Sequence, residues 1–350
     1  MQRARPGVTR MFASVVAGTA PLVSRELGRL PGVRVTDTGW DGRSDLILIE
    51  VDRGHREAAA SLRSVEDLYL EVGRAARADG DRPPLIAQRV WRRERVEKAL
   101  SAWSQAVRPL SGAMGYRVIA RVLQERSFRR TALREALSAA IARDRPRWKI
   151  ADPAQIEVWI AEYRPGLLVA GLRLSDAAMR QHGGRAVERP GALRPTVAAM
   201  MIGQAGPPDG ILLDPCCGSG TILAEALAAG WTAARGGDID PDAVQAARAN
   251  VPGAQVGQGD ARQLALGDAA VGAVVSNLPF GRQYAVPGDP SDWLTAVLAE
   301  MARVTRPGGR VVLLAPDLPA GTLPPRLRGA GRDRLRLLGT PTTLWTCEVV

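Results

Sequence analysis

Histidine and lysine are almost missing from this 350-residue chain, which has only His55, His182, Lys98 and Lys149. Neither histidine has the spacing of a metal ligand, so no metal site is expected. A Ser-His-Asp hydrolase would have to draw on one of these two, with no local support. No G-x-x-x-x-G-K run occurs, which argues against a P-loop nucleotidase. The three cysteines are Cys216, Cys217 and Cys347. Two of them are adjacent, which suits no ordinary disulfide framework and points to a reducing cytoplasm. No apolar run reaches the roughly 18 residues needed to cross a bilayer. The N-terminal MQRARPGVTR is basic but lacks an adjoining apolar core of signal type, so export is not expected.

What is present describes a folded protein with a divided charge. Hydrophobic residues make up 46% of the chain, enough for two or three domains with their own cores. The net charge of +11 is uneven. Residues 1–190 carry net +12, residues 191–350 carry −1, and residues 89–149 alone carry +11. An arginine-rich genome would explain arginine over lysine, but not this asymmetry. A polyanion is the expected partner of the N-terminal half, because each neutralised phosphate releases counterions.

Residues 11–77 read as β-α-β-β-α-β, with helices over Pro21–Leu30 and Arg56–Ser64, the split βαβ pattern. The break at 78–84, Ala-Asp-Gly-Asp-Arg-Pro-Pro, reads as a linker. Residues 85–175 form a second unit. It holds a basic helix over Leu85–Val107, a strand at Tyr116–Leu123 and a helix over Thr131–Arg143. A hairpin turns at Arg164-Pro-Gly166. Residues 176–194 read as a polar connector. From Pro195 strands and helices alternate, the mark of a mainly parallel sheet. The last two strands, near Leu335–Leu338 and Leu344–Val349, lack a crossover helix and are expected to form an antiparallel hairpin.

Ligands of open parallel sheets bind beyond the carboxyl ends of the strands. Asp214, Asp238, Asp260 and Asn277 all fall at such ends. In Asp214-Pro-Cys-Cys-Gly-Ser-Gly-Thr221, Gly218 and Gly220 allow a tight turn and close approach to a ligand. A dinucleotide fingerprint would need Gly or Ala at 223, where Leu223 stands. Asp238 is placed to accept from ribose hydroxyls, with Asp240 as its rival. Asp260 can accept from an adenine amino group, beside the Ala261 amide.

DPCCGSGT, GGDID, GDA and NLPFG resemble the S-adenosylmethionine motifs of class I, Rossmann-like RNA methyltransferases. LRSVEDLYLEVGR, SFRRTALREAL, VAGLRLSD and ERPGALRPT resemble the ferredoxin-like and THUMP arrangement attached to tRNA guanine-N2 methyltransferases. The resemblance covers roughly residues 10–349. The fold it implies is α/β, with a Rossmann-like class I methyltransferase sheet over 195–350. Before it stand α+β ferredoxin-like (10–77) and THUMP RNA-binding (85–175) domains, with 176–194 as linker. The implied cofactor is S-adenosyl-L-methionine. Its implied contacts are Asp214, Pro215, Cys216, Gly218, Ser219, Gly220, Thr221, Asp238, Ile239, Asp260, Ala261 and Asn277. The implied activity is N2-methylation of guanosine in tRNA, most often in the acceptor stem. Alternatives are guanine-N2 methylation of ribosomal RNA, an adenine-N6 enzyme, and a noncatalytic RNA-binding accessory protein.

The catalytic loop is Asn277, Leu278, Pro279 and Phe280. A purine amino group is a poor nucleophile because its lone pair is delocalised into the ring. The Asn277 side-chain oxygen and Leu278 carbonyl can engage its two N–H groups, and Phe280 can stack on the base. The commonest amino-methyltransferase form has Pro at the second position, where this chain has Leu278. The role given to 278 uses its backbone carbonyl, which leucine keeps. Cys216 and Cys217 read as small packing residues, not nucleophiles. Candidate RNA contacts are Arg126, Arg129, Arg130, Arg145, Arg147, Lys149 and Arg282. Trp148 is either a stacker or a core residue.

Overall fold

A computed structural model describes residues 7–110, 112–123, 127–279, 288–319, 321–337 and 340–350. The chain divides into two compact units between Met179 and Arg180. Among the described residues, no helix is long and apolar enough to cross a membrane.

The N-terminal unit runs β1 (Val8–Val16), α1 (Ala20–Arg29), β2 (Val33–Trp40), β3 (Ser44–Asp52), α2 (Arg56–Ala60) and β4 (Asp67–Ala76). It continues with α3 (Pro83–Val90), α4 (Arg93–Ala106), β5 (Gly115–Arg121), α5 (Arg130–Asp144), β6 (Lys149–Ile150), β7 (Ile156–Arg164) and β8 (Leu167–Arg173). Its strands form one sheet in the order β2-β3-β1-β4-β8-β7-β5-β6. Successive side chains of a strand leave opposite faces. Met11, Ala13 and Val15 accordingly join the large helix-covered core, while Phe12 joins a second cluster with Leu46, Leu48 and Tyr69. Phe12 and Tyr69 stack at 4.5 Å between ring centroids. The turn into α1 is held from β3, where Asp45 Oδ2 accepts from the N–H groups of Gly18 and Ala20 at 2.8 and 3.0 Å. Segments 10–77 and 85–175 meet within this sheet, because β4 pairs antiparallel with β8 from Tyr69–Arg173 to Ala76–Leu167.

Two helices differ from the sequence-based expectation. The basic stretch 85–107 is not one helix but two, α3 and α4. Trp91 is buried at the break, and its indole N–H donates to Asp144 at 3.2 Å. A continuous helix would carry that indole away from its partner. The second helix stops at Ala60, not Ser64. The Ser64 hydroxyl instead donates to Glu26 Oε2 at 2.5 Å.

The C-terminal unit follows the short α6 (Ala177–Gln181), which straddles the division. Its elements are α7 (Pro195–Gln204), β9 (Ile211–Asp214), α8 (Thr221–Ala228), β10 (Ala233–Asp238), α9 (Pro241–Asn250) and β11 (Gln255–Gln258). Then come β12 (Val271–Asn277), α10 (Pro290–Val304), β13 (Thr305–Ala315), β14 (Leu327–Leu337) and β15 (Thr340–Val349). The sheet order is β11-β10-β9-β12-β13-β15-β14. The first five strands are parallel, while β15 is antiparallel to both β13 and β14, so the expected closing hairpin is present. β12 is almost wholly apolar and buried, as a strand covered on both faces must be. α10 starts at Pro290. The Asp289 carboxylate caps it by accepting from the Ser291 and Asp292 N–H groups at 2.8 and 3.2 Å. Strand order reverses between β9 and β12. This switch point is where open parallel sheets leave a crevice for a ligand.

Candidate active site

Asp214 ends β9 and Asn277 ends β12, so the two flank the switch point. They are joined through Ser276, which is fully buried and whose hydroxyl donates to Asp214 Oδ1 at 2.7 Å. The Cys216 N–H donates to the same oxygen at 3.2 Å. Burial, then the neighbouring charge of Asp238, raises the Asp214 carboxyl to about 7, against the favourable hydrogen bonds it receives. Burial and the nearby aspartates also push the thiols of Cys216 and Cys217 well up, so both are neutral at physiological pH. A neutral thiol is a poor nucleophile.

The turn after Asp214 is tied down by its own backbone. The Cys217 N–H donates to Gly237 O at 2.9 Å, and the Gly220 N–H to Cys217 O at 2.8 Å. Gly220, the residue before α8, has φ +86°, and a Cβ there would lie 2.9 Å from Val251 Cγ2. Both the left-handed backbone and the pressure of the α9 end require glycine. The Ser219 hydroxyl is buried without a partner among the described residues.

Asp238 ends β10 and braces this turn, accepting from the Gly218 N–H at 2.8 Å and the Asp240 N–H at 3.1 Å. Asp240 is committed elsewhere. It caps α9 by accepting from the Asp242 N–H at 2.9 Å, and it pairs with Arg189. Ile239 is 54% exposed, an apolar surface left open beside the crevice. Asp260 follows β11 and holds Arg262 through both carboxylate oxygens, with Nη2 at 2.6 Å from Oδ2. The Arg262 guanidinium, against partial burial, lowers the Asp260 carboxyl below the usual range. Ala261 is buried.

Asn277 presents the most informative atom of the site. Its Oδ1 is buried and has no hydrogen-bond partner among the described residues. Leu278 is 2% exposed in the core under β12, and its N–H donates to Leu314 O at 3.1 Å. Proline at 278 could not make that bond, so leucine anchors the loop to β13 where proline would only stiffen it. Pro279 is half-buried. Phe280 and Arg282 lie outside the described residues, as does Arg126.

Of the other proposed RNA contacts, Arg129, Arg130, Arg147 and Lys149 are exposed. Arg145 is engaged within the fold, pairing with Glu97 and Asp144 and lying over the Trp148 ring at 5.8 Å. Trp148 is buried and tilts against Tyr116, which makes it a core residue. Among the described residues no group of three or more His, Cys, Asp or Glu is arranged to hold a metal.

Several residues of the site escaped the reading of the sequence. Ser276 sits unannounced in an apolar strand, although its place beside Asn277 was a signal. His182 Nδ1 lies 2.8 Å from Glu225 Oε1 of α8, both side chains buried. Asn250, the last residue of α9, reaches the Ser219 carbonyl. Only tertiary packing brings these together.

The strand order and the switch-point residues define a Rossmann-like methyltransferase fold. Over 98% of the chain, the structure is similar to the crystal structure of TrmN from Thermus thermophilus, with a TM-score of 0.75, 22% identity and 100% of that chain covered. Residues 182–322 match the model of the UPF0020 family, described as the RMKL-like methyltransferase domain. Among curated relatives, the chain is 34% identical over 139 residues to a Bos taurus U6 snRNA (guanine-N(2))-methyltransferase, THUMPD2, covering 37% of this chain and 27% of that protein. It is 32% identical over 175 residues to the Bos taurus tRNA (guanine(6)-N(2))-methyltransferase THUMP3, covering 43% of this chain and 33% of that one. The matched stretches thus span a third or less of those two relatives' own length.

Proposed function

We propose that this protein is an S-adenosylmethionine-dependent methyltransferase that forms N2-methylguanosine in tRNA, in the acceptor stem. The observation that carries the reading is Asn277 Oδ1, a buried acceptor at the switch point without a partner among the described residues. Leaving such an atom unpaired costs about 1–3 kcal/mol, and an amino group docking there would recover it. Both relatives described above are named as guanine-N2 methyltransferases. Transfer RNA is favoured because the match to the tRNA enzyme covers more of this chain, and because residues 1–190 carry net +12.

The residues present fit the cofactor. The turn 214–221 offers backbone and the Ser219 hydroxyl, unpartnered among the described residues. Asp238 takes the ribose hydroxyls, Ile239 covers one adenine face, and Asp260 with the Ala261 amide reads the adenine edge. When bound, S-adenosylmethionine supplies an electrophilic methyl on its sulfonium. Asn277 Oδ1 and the Leu278 carbonyl accept from the guanine amino group and localise its lone pair toward that methyl. Alignment supplies much of the acceleration. The extra proton can leave after transfer, so no strong base is required. A paired guanine must first be flipped out, at a cost of a few kcal/mol. The exposed Arg129, Arg130, Arg147 and Lys149, on a THUMP-type region over 85–175, hold the RNA meanwhile.

The deciding experiment is nucleoside mass spectrometry of tRNA, ribosomal RNA and small nuclear-type RNA from a strain lacking the gene. Loss of N2-methylguanosine from tRNA, restored by the wild-type chain and not by Asn277→Ala, is expected. Loss from another RNA alone would refute the substrate assignment.

A further inference from the structure

Residues 182–189 precede the sheet of the C-terminal unit, yet they are stitched to its cofactor-loop side. The Asn250 side chain makes the central stitch. Its Oδ1 accepts from the Val187 N–H at 2.8 Å, and its Nδ2 donates to Val187 O at 3.0 Å. The same Nδ2 donates to Ser219 O at 3.0 Å, inside the glycine turn. One amide thus joins three things: the end of α9, the backbone of the preceding segment, and the proposed cofactor loop. Two flanking stitches accompany it. His182 lies against Glu225 of α8, and Arg189 pairs with Asp240, which caps α9 and whose N–H donates to Asp238.

Val187 is 40% exposed, so apolar burial does little to hold the segment there. The polar stitches must carry that role. Their position also has leverage, because the α9 end presses directly on the glycine turn. A Cβ on Gly220 would meet Val251 and Ala247 at 2.9 and 3.3 Å. Movement of the α9 end would therefore move Ser219 and Gly220 together.

We infer that Asn250 is a positioning residue for the cofactor loop, and that it makes residues 182–189 a strap whose closure is linked to cofactor occupancy. The inference rests on the reading of 214–221 as the cofactor loop. Linkage is reciprocal: if the closed strap favours the cofactor, the cofactor favours the closed strap to the same degree. Asn250 touches no reacting atom, so it acts on cofactor affinity and spares the transfer step.

The test uses the full chain and S-adenosylhomocysteine as the probe. In calorimetry, Asn250→Ala should weaken binding about tenfold, the effect of one or two ordinary hydrogen bonds. Asn250→Asp keeps the acceptor for Val187 but sets a carboxylate oxygen against the Val187 and Ser219 carbonyls, so it should weaken binding at least as much as alanine. In RNA methylation, Asn250→Ala should raise the KM for S-adenosylmethionine with little change in kcat or in the KM for RNA. Trypsin supplies a readout of the strap, because the Arg185 side chain is largely buried, donating to Glu188 and the Leu193 carbonyl, and cutting after it should need the segment to open. S-adenosylhomocysteine should slow that cut in the wild type and not in Asn250→Ala. Should Asn250→Ala fold poorly, Arg189→Gln tests the strap from its other end, with the same loss of protection. Unchanged affinity and unchanged protection in the folded variants would overturn the inference. A wild-type chain that binds no S-adenosylhomocysteine would instead overturn the cofactor reading beneath it.

Discussion

Asn277→Leu separates a residue kept for chemistry from one kept for folding. Leucine matches asparagine in length and branching but has no acceptor. The free protein carries Oδ1 buried and unpartnered among the described residues. Such an atom costs about 1–3 kcal/mol, so its removal should not destabilise the fold. For a unit of this size each kcal/mol moves the thermal midpoint by about 2–4 °C, so the midpoint should hold or rise by a few degrees. Turnover should fall about 10²–10³-fold, the scale seen when one preorganised polar group is withdrawn from a transition state. The assays are thermal unfolding, S-adenosylhomocysteine binding, and methyl transfer into unmodified tRNA. Cofactor affinity should change less than about threefold, because the lost atom faces the acceptor base. A clear drop in midpoint would mean that Oδ1 is bonded within the fold. Surviving turnover would mean that the catalytic loop lies elsewhere.

Three further outcomes are expected. The folded Asp214 carboxyl sits at about 7 against an ordinary 3.8, so the native state holds a proton that the unfolded chain has lost between those values. Stability should therefore decline as pH rises through that window, relative to Asp214→Asn, and cofactor binding should release a proton near neutrality. Calorimetry in buffers of different ionisation enthalpy reads that release, and a null result would remove Asp214 from the cofactor site. Gly220→Ala forces a left-handed alanine, at about 1–2 kcal/mol, onto Val251; thermal unfolding should show the loss, and unchanged stability would contradict the tight turn. Arg147→Gln with Lys149→Gln should weaken tRNA binding and reduce the salt slope by about one for each phosphate no longer neutralised. An unchanged slope in gel-shift titrations would move the RNA to another face.

Much of the fold is written locally. β12 is an apolar run, and α9 opens with Pro241 directly after Asp240, a local helix-start pattern. The break between α3 and α4 is not written locally, because nothing near Trp91 reveals that its indole must reach Asp144, 53 residues away. Leu278 shows the same limit. As a sequence it looks like a departure from Pro, and only the Leu314 carbonyl explains what its N–H does.

The charge division, the glycine turn, the strand-end acids and the order of the two loops are properties of the chain as a string. They depend on local backbone chemistry and composition, and they are enough to point to a methyl donor beside a base. Which acid braces the turn and which caps a helix was decided in three dimensions, where Asp238 faces Gly218 and Asp240 faces Asp242. So was the role of residues 182–189. Their stitches to Glu225, Asp240 and Asn250 span 43 to 63 residues of sequence. Contacts at that separation leave no local pattern, because each depends on how a distant helix end is packed.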